Sequence, residues 1–137
     1  MIYILLNALP ILAATIASLG FGVCYHAALG RIGRQHRGLV VNRGPGFLLL
    51  AFAAQAWLAA ILAGALILAP AKAGVWTMAL GSAVVIWLGF VLPVVAVTLR
   101  YRNLPARLVA LDCGHWLAVM LIQAVVMKTI GLVPPPV

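Results

Sequence analysis

Asp112 is the only acidic side chain among 137 residues, and His115 follows it by one helical turn in the string "RLVALDCGHW". Tyr25 and His26 stand side by side in "GFGVCYHAALG", near the end of the first apolar run. A carboxylate, imidazoles and a phenol are the groups that hold or pass protons, hydrogen-bond a polar solute, or bind a metal or heme iron. Asp112, then His115 or Trp116, Val119 and Gln123 recur at the spacing of one helix face. Tyr25, His26, Asp112, His115 and Gln123 are therefore the candidate binding residues. A single acid rules out paired carboxylates, and "NRGPGF" matches no phosphate-cradling loop. The sequence has no Cys-x-x-Cys, so Cys24 and Cys113 read as small apolar residues within spans. No catalytic residue, metal site or cofactor is assigned.

These groups must be positioned by membrane helices. Hydrophobic residues fill 66% of the chain and charged residues only 7%, against about half and a quarter in a soluble domain. One small core cannot hide that excess, so it must face lipid. Four runs, at about 3–27, 46–69, 75–99 and 107–131, each approach the ~20 residues that cross the hydrocarbon core. The expected fold is an all-α integral membrane bundle of four transmembrane helices in one domain. Residues 1–26 contain no Lys or Arg, so the first run reads as a retained span and not as a cleaved signal. Prolines punctuate the rest: Pro70 stops the second run, Pro105 can start the fourth, and Pro10 and Pro93 predict kinks within spans.

Charge sets the expected orientation. Arg31, Arg34, Arg37 and Arg43 occupy the first connector, and Arg100, Arg102 and Arg107 surround the third, whereas Lys72 and Lys128 fall on the opposite side. Seven of the nine basic residues thus share one side, which the positive-inside rule makes cytoplasmic. Both termini then face outward. Arg31, Arg34, Arg37, Arg43, Arg100 and Arg102 are expected to contact anionic lipid headgroups. The net charge of +8 is read as this membrane signal and not as nucleic-acid binding.

Small residues recur every fourth position at Ala14, Ser18 and Gly22, at Ala56, Ala60 and Gly64, and at Ala110, Gly114 and Ala118. Such rows let helix backbones approach closely. Gln55 and Gln123 read as interhelical hydrogen-bonding groups. A charged carboxylate facing lipid costs several kcal/mol, about 2.5–3.5 at the bilayer centre. Asp112 should therefore turn inward or reach the interface, with Arg100, Arg102, His26 or Tyr25 as its partner.

Two stretches also carry a resemblance. "GFGVCYHAALGRIG", and "WLGF" followed by "LPARLVALDCGHWLAVMLIQAVV", resemble the bacterial membrane family catalogued as domain of unknown function 1761. In that family the first helix tends to end with a glycine and an aromatic pair, matched here by Gly22, Cys24 and Tyr25. The last helix tends to open with Asn or Asp before Ala-Gly-Tyr-Trp, matched by Asp112, Cys113, Gly114, His115 and Trp116. Cys24 replaces an aromatic residue, and His115 stands where Tyr is common. The resemblance implies a four-helix protein of about this length and carries over no catalytic residues.

The expectation for function is a structural or accessory subunit of a larger bacterial inner-membrane assembly or a homo-oligomer, with membrane lipids as its other partners and no nucleic acid. One alternative is a small-molecule or ion transporter or binder with its site near Asp112. Another is a heme-carrying redox subunit with His26 and His115 as axial ligands.

Overall fold

The computed structural model describes residues 2–33, 44–70 and 74–136, with residues 30–33 described as backbone only. Arg34, His36, Arg37, Arg43, Lys72 and the side chain of Arg31 lie outside the described residues. Among the described residues six α-helices follow in order: α1 (Ile2–Leu6), α2 (Ala8–Gly33), α3 (Pro45–Leu68), α4 (Val75–Ile86), α5 (Leu92–Tyr101) and α6 (Ala106–Ile130). A π-helical segment, Trp87–Val91, joins α4 to α5. Among the described residues four helical stretches are long and apolar enough to cross a membrane: Ala8–Leu29, Pro45–Leu68, Val75–Tyr101 and Ala106–Ile130.

Local chemistry sets the helix limits. Pro45 occupies the first turn of α3, where a missing N–H has no intrahelical partner to lose. Ala69, held extended before Pro70, ends that helix. Pro105 stands just outside α6 as its N-cap residue. At the far end of α6, Gly131 takes φ +96°, which an L side chain resists, while its N–H bonds to Met127 O. Both internal prolines disturb their spans. Pro10 has no N–H for Leu6 O, and the first span breaks at Asn7 between α1 and α2. Pro93 follows the wide π turn, in which Leu92 N–H reaches back to Trp87 O and relieves the crowding behind the proline ring.

α6 is the hub of the bundle and touches every other span, most extensively α2. Among the described residues α2 makes no contact with α4 or α5. The apolar core lies toward one end, where Ile11, Ala14, Ala60, Leu62, Met120, Ala124 and Met127 close together. The small-residue rows divide. Ala14, Ser18 and Gly22 are all buried, and Ala60 is buried with Ala56 and Gly64 half-covered. The row on α6 departs from the expected close contact, because Ala110 and Gly114 are exposed and only Ala118 is partly covered.

Polar handles fasten the periphery. Asn7 Nδ2 donates to Tyr3 O and to Val133 O, each at 2.8 Å, and Asn7 Oδ1 accepts from Val133 N–H at 2.7 Å. Both donors and the carbonyl oxygen of this buried amide thereby have partners, and the chain after α6 is pinned to the start of the first span. Asn7→Leu should destabilise the detergent-solubilised protein by about 1–3 kcal/mol, because it removes the hydrogen bonds that tie the chain after α6 to the first span. An unchanged melting temperature would contradict that role.

Candidate functional site

The polar side chains of α2, α3 and α6 form two layers between the apolar core and the end where α2 passes Tyr25. In the deeper layer Ser18, Gln55 and Gln123 are all buried. Ser18 Oγ donates to Gln55 Oε1 at 2.7 Å, and Gln123 Nε2 donates both to Ser18 Oγ and to Gln55 O at 3.1 Å. One residue from each of three spans thus meets at a single point. Thr15, also buried, turns its hydroxyl back to Ile11 O at 2.7 Å and so stays within its own helix. Gln123 Oε1 is buried and has no hydrogen-bond partner among the described residues.

The second layer is an aromatic box around His115, which is only 5% exposed. Ring centroids of His26, Tyr25, Trp116 and Phe21 lie 4.6, 5.1, 5.5 and 6.0 Å from that of His115, with Phe21 stacked on it. Gly22 makes the box fit. A Cβ at Gly22 would sit 3.1 Å from His115 Nε2 and 3.8 Å from Gln55 Nε2, so the missing side chain is where both layers meet. His115 Nε2, like Gln123 Oε1, is buried without a hydrogen-bond partner among the described residues.

The five residues singled out in the sequence separate into two groups. Tyr25, His26, Asp112 and His115 gather at the aromatic layer, while Gln123 lies two helical turns deeper with Ser18 and Gln55. Tyr25 spends its hydroxyl proton on Leu111 O at 2.9 Å, tying α2 to α6 next to Asp112. Asp112 is partly buried. The arginines expected to pair with Asp112 are engaged elsewhere or exposed. Arg100 Nη1 donates to Leu104 O at 3.0 Å across the α5–α6 turn, and Arg102 is exposed. Among the described residues no hydrogen bond or ion pair to Asp112 is formed.

The heme arrangement expected from His26 and His115 does not fit this geometry. Two axial imidazoles bind opposite faces of one iron with the macrocycle between them, whereas these rings touch each other directly at 4.6 Å. Among the described residues no group of three His, Cys, Asp or Glu side chains is placed to hold a metal ion. Gln55 and Gln123 do hydrogen-bond across helices, as their positions within spans suggest. Sequence reasoning missed Ser18 and Gly22 as site residues, taking Ser18 as a small packing position and Gly22 as that and as a match to the family's first-helix motif. The available signal was that a hydroxyl stood in a row of small residues on a span facing two buried amides.

The family model described as "protein of unknown function (DUF1761)" matches residues 9–128, and the chain belongs to that family. The resemblance read from the two quoted stretches therefore holds. No curated protein and no solved structure matches the chain.

Filling the corner between the layers tests this arrangement. Gly22→Val should displace His115 and cost about 1–3 kcal/mol of stability through overpacking, with Gly22→Ala costing less. Both are read by thermal unfolding in detergent, and a Val variant as stable as the natural protein would show that His115 does not occupy that corner.

Proposed function

We propose that this member of the DUF1761 family is an assembling subunit of the bacterial inner membrane, acting as a homo-oligomer or within a larger membrane complex. The observation that supports this reading is the outward face of the third span. Only 6% of the apolar window of that span is buried, against 28–39% in the other three. Gly81 and Gly89 lie on it exposed, with nothing within 4 Å of where a Cβ would stand. Gly81 is two residues from each of the buried Ala79 and Ala83, hence about 200° around the helix from both and on the opposite face. Glycine within a helix costs roughly 0.5–1 kcal/mol relative to alanine. In lipid its return is close approach by another helix. The concentration of arginine around two connectors supports an orientation with both termini outside, and Arg31, Arg34, Arg37, Arg43, Arg100 and Arg102 then meet anionic headgroups on the cytoplasmic side.

A second reading, a small-molecule or ion binder near Asp112, is favoured by the buried, unpartnered His115 Nε2 and Gln123 Oε1. Four short spans enclose a pathway only when copies associate, so this reading builds on the first.

Extraction in mild detergent should give a particle whose protein mass exceeds the 14.4 kDa of one chain. Gly81→Leu combined with Gly89→Leu should reduce it to a single chain without lowering its helix content. A natural protein that is monomeric throughout would overturn the proposal. For the second reading, solute or proton flux in proteoliposomes should fall at least tenfold in Asp112→Asn and His115→Phe, and flux indifferent to both would remove it.

A further inference from the structure

An open groove of about 380 Å³ runs between the third and fourth spans, away from both polar layers. Trp87, Leu92 and Ala96 form one wall, Ala110 and Gly114 lie along the other, and Arg100 stands at one end. The surface inside is almost wholly apolar, and the small side chains of Ala96, Ala106, Ala110 and Gly114 create the space. Trp87 is held in place because its Nε1 donates to Cys113 O at 2.9 Å across the two spans.

We infer that this groove holds one acyl chain of an anionic membrane phospholipid, with the lipid phosphate at Arg100. Three features select that occupant. The first is length: from Ala106 to Leu117 the lining of α6 covers eleven residue steps, about 16 Å at 1.5 Å each, close to the ~15 Å that half of a ~30 Å hydrocarbon core presents. The second is width. Spread over that length, 380 Å³ makes a shallow trough, well short of the roughly 1,200 Å³ that a helix of ~10 Å diameter fills over the same length, and it suits a single polymethylene chain. The third is charge, because the groove opens at the helix ends that carry exposed Arg100, Arg102 and Arg107. The Arg100 bond to Leu104 O uses one of five guanidinium donors and fixes the group at the groove's end. The remaining donors suit the paired oxygens of a phosphate. The site does not depend on assembly through Gly81 and Gly89, neither of which lines it.

The test is native mass spectrometry of the full chain released from nanodiscs containing equal phosphatidylglycerol and phosphatidylcholine. The natural protein should retain one phosphatidylglycerol per chain. Arg100→Gln should lower that occupancy about fivefold, the worth of one basic residue at a membrane surface, and lower retention of phosphatidylcholine, which shares the phosphate but carries no net charge, by less. Gly114→Leu and Ala96→Leu, which fill the groove from opposite walls, should each abolish retention of either lipid while keeping the helical circular dichroism. Should one of them misfold, the other together with Arg100→Gln still decides the matter, since Arg100 is exposed and outside the core. Unchanged phosphatidylglycerol occupancy in Arg100→Gln, or full lipid retention in a folded groove-filled variant, would overturn the inference. A groove-filled variant that keeps its lipid but loses particle mass would overturn it too, assigning the groove to a second copy of the chain.

Discussion

Lipid is as apolar as leucine, so burying hydrocarbon cannot by itself hold these spans together. What remains is close backbone packing and hydrogen bonds that have no water to compete for them. The junction of Ser18, Gln55 and Gln123 supplies the bonds, joining one side chain from each of α2, α3 and α6. Ser18 serves both needs, since it is small enough to let α2 approach and still offers a hydroxyl. The core of Ala59, Ala60, Ala63, Met120 and Met127 then fills the space that this junction leaves.

The same junction sets the chemistry available nearer the helix ends. With Gln55 fixed against Ser18, its Nε2 borders the corner left open by Gly22, and His115 enters that corner from α6. Rings from α2 and α6 enclose the imidazole on several sides. A histidine held in this way is a group placed by packing, with the His26 ring 4.6 Å away and the sole carboxylate one helical turn off. The third span stands apart from this arrangement. Attached through Trp87 and a few small residues, it leaves one face to the surroundings and a trough beside α6.

Much of the architecture was legible in the sequence because membrane spans are written in composition and length. Four apolar runs, with Pro45, Pro70 and Pro105 as punctuation, leave little freedom in where helices start and stop. The candidate site was legible only in part. Helical spacing put Asp112, His115 and Gln123 on one face of α6, but spacing within one helix does not say which neighbour covers which position. Gln123 therefore pairs with Ser18 and Gln55 and does not extend the group around Asp112, and Arg100 turns to Leu104 O because the α5–α6 turn brings that carbonyl to it. The row Ala110, Gly114 and Ala118 has the same spacing as the buried row on α2, yet its first two members line an open trough. Periodicity identifies a face, and only the packing of the whole bundle shows whether that face is covered.

The central claim is that the Ser18–Gln55–Gln123 junction holds three spans together. A double-mutant cycle of Ser18→Ala and Gln123→Leu, measured by reversible unfolding in mixed micelles, tests it most directly. A coupling free energy of about 0.6–2 kcal/mol, the range of interhelical hydrogen bonds in membranes, is the result expected. Losses that add to within about 0.3 kcal/mol would show that the two side chains do not support each other, and the account would fail at its base.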